Sequence, residues 1–225
     1  MSVLFEEIEE IPINGLTLEG VLAIPPGAKG VVLFAHGSGS SRHSPRNNFV
    51  ARVLCEHGVG TLLMDLLSPE EDQESTTRFD IALLTERLVA ATHWLHHQRL
   101  TRHLPVGYFG ASTGAAAALR AAARLGSLVQ AVVSRGGRPD LAGIADLQKV
   151  GCPTLLLVGG LDTEVLHLNR QAARLMLSPG RTQPLPEVHL TVVAGATHLF
   201  EEPGALETVA RHAAQWFEQH LHVRH

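Results

Sequence analysis

Six apolar runs recur along the chain, separated by segments long enough to form helices. They read GVVLFAHG, VGTLLMDLL, PVGYFGAS, LVQAVVSRG, CPTLLLVGG and VHLTVVAG. Their hydrophobic residues follow one another without the alternation of a sheet that has one solvated face, so each run predicts a strand covered on both faces. Parallel strands need helical crossovers, which we predict at residues 48–57, 80–98, 113–125, 165–177 and 205–221.

The segment before these runs has a different pattern. VLFEEIEEIPINGLTLEGVLAIPPG alternates on either side of Asn14-Gly15, which predicts an antiparallel hairpin. A hairpin followed by repeated strand–helix units predicts an α/β fold with a mostly parallel sheet and helices on both faces. We find no linker-like stretch, so residues 1–225 are predicted to form a single domain.

Composition excludes several classes of protein. A net charge of −4 argues against binding to nucleic acid or to an anionic membrane. No apolar stretch reaches the length of a membrane span, and the start, MSVLFEEIEE, is acidic where a signal peptide is basic. The two cysteines, Cys55 and Cys152, lie in apolar runs and are interpreted as buried, reduced thiols. We therefore expect a cytoplasmic protein.

One serine lies where a strand-like run gives way to an alanine-rich helix. The sequence Gly110-Ala111-Ser112-Thr113-Gly114 matches the G-x-S-x-G pattern of a nucleophile elbow, in which a tight strand-to-helix turn exposes the serine hydroxyl. The helix dipole that follows favours negative charge developing there. The alternative is that the two glycines only shape a tight turn between a strand and a helix.

A serine nucleophile needs a base, and the base needs an orienting acid. Asp162 follows one predicted strand and His198 follows a later one, in the order acid then base that this type of elbow requires. Both fall at the carboxyl ends of strands, as Ser112 does. Asp162 could instead cap the next helix, and Glu164 is the nearest rival for the acid. His198 is one of 14 histidines, so only its position after Asp162 in the chain and at the end of a predicted strand makes it the candidate base.

Two backbone amides are predicted to form an oxyanion hole, those of Thr113 and of Ser38 in the loop LFAHGSGSSRHSPRN. This loop lacks the Gly-Lys-Ser/Thr ending and the third glycine that nucleotide-binding loops require. His93, His96 and His97 have helical spacing, but we interpret them as a solvated helix face because no carboxylate or cysteine accompanies them. No metal and no organic cofactor is expected.

Five motifs in order along the chain resemble the α/β-hydrolase superfamily, and more narrowly its small dienelactone-hydrolase-like bacterial members. They are HGSGSSRHSPRN, GYFGASTGAAAAL, VVSRGGRPDLAG, VGGLDTEV and GATHLFEEPGAL, and the similarity runs from about residue 30 to residue 217. The resemblance implies Ser112 as nucleophile, Asp162 as acid and His198 as base. Dienelactone hydrolases proper use a cysteine nucleophile, so their lactone specificity is not implied. Some relatives are joined to phosphoribosyltransferase domains, and none is predicted in this chain.

The sequence therefore predicts a serine hydrolase that cleaves a small ester, lactone or thioester through an acyl-enzyme. A peptidase or an acyltransferase would use the same residues, and a ligand-binding protein that has lost catalysis would keep the fold. The segment between Ser134 and Cys152 has room for only a short helix, so no large cap domain is expected. We expect a monomer or homodimer whose partner is a small-molecule ester or lactone, with no nucleic acid and no membrane.

Arg135 and Arg138 follow the fourth apolar run, at the same predicted edge as Ser112, and Arg42 lies in the oxyanion loop. Because arginine pairs with a carboxylate or phosphate through two hydrogen bonds, Arg135 or Arg138 is a candidate to bind an anionic group of the substrate. The alternative is that these arginines pair with Asp140 or with the acidic segment PEED and only stiffen their loops.

Overall fold

The computed structural model describes residues 5–178 and 185–222. The strands are β1 Phe5–Ile13, β2 Leu16–Ile24, β3 Val31–Ala35, β4 Gly60–Met64, β5 Val106–Ala111, β6 Val129–Arg135, β7 Thr154–Gly159 and β8 Val188–Val193. The α-helices are α1 Pro45–Glu56, α2 Ser75–Arg78, α3 Ile81–His97, α4 Thr113–Leu125, α5 Ile144–Leu147, α6 Thr163–Met176 and α7 Ala205–His220. Short 3-10 turns cover Glu71–Gln73, Gly126–Leu128 and Pro139–Ala142.

The strands form one eight-stranded sheet in the order β1-β2-β4-β3-β5-β6-β7-β8. The first two strands form the predicted hairpin, and β2 then pairs antiparallel with β4, while all later pairings are parallel. The hairpin turns at Asn14 and Gly15, which both have positive φ angles, as a two-residue turn of this kind requires. The first two residues of the predicted hairpin segment lie outside the described residues. The mostly parallel α/β fold is confirmed.

Helices cover the two faces of the sheet separately. One hydrophobic core joins α3 and α4, with parts of α5 and α6, to the sheet, and it contains Tyr108 and Leu119. The second core joins α1 and α7 to the opposite face around Phe34, Phe109 and Phe217. Consecutive residues of the central strands alternate between these cores, and this explains why their sequences are hydrophobic without interruption.

One detail differs from the sequence prediction. The prediction that all six apolar runs are covered on both faces is wrong for β8, which is an edge strand whose Val192 is 43% exposed.

The acidic segment after β4 contains the 3-10 turn Glu71–Gln73 and the start of α2. It is tied down by ion pairs from Arg87 to Glu71 and from Arg78 to Asp72.

The segment between β6 and β7 holds only a 3-10 turn and the four-residue α5, so no large cap lies over the sheet. Of the predicted buried thiols, Cys152 is buried and Cys55 is half-buried, and burial raises the pKa of both. Within residues 5–178 and 185–222, none of the helices is long and apolar enough to cross a membrane.

The backbone of α4 crosses closely over the ends of β3 and β5. A Cβ atom at Gly114 would lie 2.2 Å from the carbonyl oxygen of Ala35 and 2.4 Å from that of His36. A Cβ atom at Gly110 would lie 2.4 Å from the Cα atom of Ala115. Backbone atoms cannot move aside as the end of a flexible side chain can, so both positions require glycine.

We expect Gly114→Ala to lower the free energy of unfolding by at least about 2 kcal/mol, because the new methyl group overlaps two carbonyl oxygens of a buried strand end. Urea unfolding monitored by circular dichroism measures this loss. Gly151→Ala is the matched control, since a Cβ atom there meets nothing within 4 Å, and it should change stability by less than about 0.5 kcal/mol. Equal stabilities for the two variants would contradict the close crossing.

Candidate active site

Ser112 lies between β5 and α4 with φ 50° and ψ −119°, a backbone conformation that non-glycine residues rarely adopt. Besides the hydrogen bond from the N–H of Ala115 in the first turn of α4, two hydrogen bonds to the chain after β6 hold it in place. Its N–H donates to the carbonyl oxygen of Arg135 at 3.2 Å, and its own carbonyl oxygen accepts from the N–H of Arg138 at 3.1 Å. A strained backbone conformation persists only where the surrounding structure holds it. The turn places the half-buried Ser112 at the carboxyl edge of the sheet.

Asp162 and His198 form a direct pair. The Nδ1 atom of His198 lies 2.6 Å from Oδ2 of Asp162. An ionised carboxylate only accepts hydrogen bonds, so Nδ1 donates and Nε2 is left as the acceptor. Asp162 occupies the position before the first residue of α6, but its side chain makes no capping hydrogen bond. Its carboxylate therefore serves His198 rather than the helix, while Glu164 is exposed on the first turn of α6.

The imidazole of His198 lies above the strand end next to Ser112. Ala111 pairs with Arg135 across β5 and β6, so Gly136 follows at the level of Ser112. A Cβ atom at Gly136 would lie 3.5 Å from Cε1 of His198, the ring atom between its two nitrogens. Among the described residues Ser112 Oγ makes no hydrogen bond to His198, and such bonds in ligand-free sites are often longer than in the reacting complex.

The loop that carries His198 is held by an interaction that the sequence analysis missed. Glu202 accepts hydrogen bonds through Oε1 from the N–H of Thr197 at 3.1 Å and from its hydroxyl at 2.5 Å. These hydrogen bonds, led by the one from the hydroxyl, lower the pKa of Glu202. Phe200, with φ 56°, is buried in the core below. A threonine and a glutamate five residues apart form too common a pattern to be recognised from sequence alone.

The two predicted oxyanion donors, Ser38 and Thr113, lie together. The loop passes so close to the elbow that a Cβ atom at Gly37 would lie 3.2 Å from Cβ of Ser112. The N–H of Thr113 opens α4 and has no carbonyl partner inside the helix. The N–H of Ser38, however, donates to the hydroxyl oxygen of Thr113 at 2.9 Å. It would have to leave that hydroxyl to reach a substrate oxygen.

His36 fixes the start of this loop. Its Nδ1 lies 3.0 Å from the carbonyl oxygen of Gly37, and its Nε2 accepts from the N–H of Leu66 at 3.0 Å. Because Nε2 accepts, the ring is neutral and Nδ1 donates to Gly37. Burial lowers the pKa of His36, which agrees with a neutral ring. His36 was not singled out in the sequence, although it directly precedes Gly37.

Arg42 anchors the far end of the loop. Its N–H donates to Oδ1 of Asp65 at 2.8 Å, and its guanidinium forms ion pairs with Asp65 and Glu19. Asp65 directly follows β4 and Glu19 lies on β2. The loop from Gly37 to Ser44 is thus fixed at both ends to the strands beside it.

The two arginines predicted to contact substrate lie in different environments. The guanidinium of Arg138 donates to both carboxylate oxygens of Asp140, at 2.9 and 2.8 Å, which is the loop-stiffening pair named as the alternative. The hydrogen bond to Asp140 raises the pKa of Arg138. Arg135 ends β6 and is 8% exposed, and its guanidinium donates no hydrogen bond within the part of the chain that is described.

Two cavities lie close to the loop after β3 and to the helix α1 that follows it. The first, of about 150 Å³, adjoins the oxyanion loop, with His36, Ser40, Asp65, Ser68 and Asp72 among its lining residues. The second, of about 690 Å³, lies between α1 and the strands β2 and β4. Neither cavity is lined by Ser112, Asp162 or His198. The smaller cavity therefore lies beside the oxyanion loop but outside the triad.

Known proteins share this fold and sequence. Residues 18–222 match the model of the dienelactone hydrolase family. A dienelactone hydrolase from Anabaena variabilis is 51% identical, with a TM-score of 0.90 over 97% of this chain and 99% of that one. Est1E from Butyrivibrio proteoclasticus shares the fold, with a TM-score of 0.77 over 94% of this chain and 98% of that one, at 16% identity.

A Mycobacterium tuberculosis protein named as a phosphoribosyl transferase is 55% identical over 216 residues. That similarity covers 96% of this chain but 46% of the relative, so this chain spans less than half of the relative's length.

A mostly parallel sheet with a serine elbow and these structural neighbours defines an α/β-hydrolase. The chain belongs to the dienelactone hydrolase family. Both the superfamily and the narrower resemblance predicted from the five motifs are confirmed, and the family supports a hydrolase.

We expect His36→Gln to destabilise the protein at pH 7 by about 1–3 kcal/mol, and the difference from wild type to shrink as the pH falls to 5. The unfolded chain takes up a proton near pH 6.5, whereas burial lowers the pKa of folded His36. Between these two pKa values the unfolded state binds more protons than the folded state, so the free energy of unfolding of the wild type decreases as the pH is lowered. Glutamine does not titrate, so the variant lacks this decrease. Urea unfolding at pH 7, 6 and 5 measures it, and a difference independent of pH would contradict a neutral buried His36.

Proposed function

We propose that the protein is a serine hydrolase that cleaves a small ester, lactone or thioester through an acyl-enzyme, with Ser112, Asp162 and His198 as its triad. The observation that carries the proposal is the 2.6 Å hydrogen bond between His198 and Asp162 beside a serine in a nucleophile-elbow conformation. Asp162 is at the N-cap of α6, but its side chain makes no hydrogen bond to the helix, which supports a role in orienting His198.

The chemistry follows from this geometry. Ser112 Oγ attacks the carbonyl carbon of the substrate as its proton passes to Nε2 of His198, and Asp162 stabilises the resulting imidazolium. The negative charge moves to the former carbonyl oxygen, where the N–H groups of Thr113 and Ser38 are the donors. When the tetrahedral intermediate collapses, the leaving group takes the proton from His198. A water molecule then attacks the acyl-serine by the same steps and releases the acid and free Ser112.

Small substrates suit the site best. The segment between β6 and β7 carries no cap that would enclose a long acyl chain. The family supports cleavage of an ester or a lactone. A serine in the elbow, where dienelactone hydrolases proper use a cysteine, favours a general esterase over a strict lactonase.

We expect Ser112→Ala and His198→Ala each to lower kcat for a short p-nitrophenyl ester by roughly a thousandfold or more, because each removes a group that bonds to the reacting atoms. Asp162→Asn should lose less, since it disturbs the orientation of His198 without removing the base. Steady-state kinetics at pH 8 measures these changes.

His93→Ala is the control for the general effect of removing a histidine, because His93 is exposed on α3 and takes no part in the candidate site, and it should retain wild-type rates. A fluorophosphonate probe should label Ser112 in the wild type and in His93→Ala. Normal turnover in His198→Ala would disprove the base, and absence of both labelling and ester hydrolysis in the wild type would favour a binding protein without catalysis.

A further inference from the structure

Arg135 is a buried cation without a counter-charge that touches it. It is 8% exposed, its Nη1 atom is buried, and no hydrogen bond from its side chain is present across residues 5–178 and 185–222. Burial and then repulsion from Arg46 lower the pKa of Arg135 to about 10. Arg46 pairs with Glu201, and a Cβ atom at Gly136, directly after Arg135, would lie 3.4 Å from the ring of Phe200, directly before Glu201. An unpaired buried charge is strongly unfavourable unless a ligand of opposite charge compensates it.

Arg46 is a second cation on the neighbouring helix α1. It is the second residue of α1, a helix of 12 residues whose first turn contains no acidic side chain. Its Nε atom is buried without a hydrogen-bond partner in the described part of the chain, while its Nη1 atom pairs with Glu201 at 3.1 Å. Glu201 is 65% exposed, and an exposed pair of this kind contributes little, so Arg46 can turn from Glu201 to an anion.

The geometry points to an oxyanion site between Arg46 and Arg135, at the N-terminus of α1, that takes a phosphoryl group. A planar carboxylate is satisfied by one guanidinium in its own plane. Here donors come from two elements, the end of β6 and the first turn of α1. At that helix start Pro45 has no N–H and the N–H of Asn47 donates to Oγ of Ser44, so of the first three residues only Arg46 can add a backbone N–H. A tetrahedral anion with several acceptor oxygens meets donors that converge from different directions better than a planar one does.

The site adjoins the proposed nucleophile. The carbonyl oxygen of Arg135 accepts the N–H of Ser112, and Gly136 lies under the imidazole of His198. A phosphoryl group there is either free phosphate or part of the substrate, and both present the same oxygens to the two arginines. The site does not depend on the proposed hydrolase activity, because it rests on the buried Nη1 of Arg135 and the buried Nε of Arg46, which have no hydrogen-bond partner in the described part of the chain.

Calorimetric titration of the full chain with inorganic phosphate at pH 7 tests the site. We expect one phosphate per chain with a dissociation constant of about 1 mM or lower. Arg135→Met and Arg46→Gln should each weaken binding at least tenfold. Arg52→Gln is the matched control on the same helix, since Arg52 lies over the ring of Phe49, and it should bind as the wild type does. Sodium chloride of equal ionic strength replaces phosphate in the blank.

Failure of the wild type to bind phosphate, or unchanged binding in Arg46→Gln and Arg135→Met, would overturn the site. Arg46 is partly exposed, so Arg46→Gln tests the proposal even if Arg135→Met does not fold. Ser112→Ala should bind phosphate as tightly as the wild type, which separates this test from that of the hydrolase activity.

Two esters distinguish the sources of the phosphoryl group. They are p-nitrophenyl 3-phosphonopropionate and the neutral p-nitrophenyl butyrate. If the group belongs to the substrate, inorganic phosphate raises KM for the phosphonate ester alone. If free phosphate is the ligand, it binds calorimetrically and leaves KM unchanged for both esters.

Discussion

The close crossing of α4 over β3 and β5 determines the rest of the site. Because Gly110 and Gly114 have no Cβ atoms, the first turn of α4 lies directly against the carbonyl oxygens of Ala35 and His36. The same contact puts Ser112 at the tip of the turn, where its φ angle is positive, and brings the loop after β3 within van der Waals reach of it. One steric condition therefore assembles the proposed nucleophile and both proposed oxyanion donors.

The loops around this crossing are held by neutral groups where they are buried and by charged groups where they are more exposed. The buried start of the oxyanion loop is held by a neutral imidazole, that of His36, because a charged group there would lose its hydration. The more exposed end is held by the charged Arg42 and Asp65. On the opposite side, Glu202 holds Thr197 and hence the loop of His198. Two loops from distant parts of the chain thus meet Ser112 in defined positions before any substrate binds.

Sequence alone predicts the parts of this structure that arise from periodicity and local order. Continuous apolar runs predicted the parallel strands, and the elbow, Asp162 and His198 were predicted from their placement after those strands. It failed at β8, since an edge strand has the same apolar composition as a buried one. It also could not show that Ser38 donates to Thr113, or that Arg138 pairs with Asp140 while Arg135 has no hydrogen-bond partner in residues 5–178 and 185–222. Those outcomes depend on tertiary packing over distances that no local pattern encodes.

The site combines several locally unfavourable features, which is what a functional role predicts and a purely structural one does not. A non-glycine residue in a rare backbone conformation costs of order 1–3 kcal/mol, as at Ser112. A side-chain hydrogen bond at a helix N-cap stabilises a protein by about 1 kcal/mol, and Asp162 does not make one. Two continuous hydrophobic cores, one on each face of the sheet, stabilise the domain enough to offset both. Arg135, buried and with no hydrogen-bond partner among the described residues, is a third such feature on the same edge, and the same reasoning supports the anion site that we propose there.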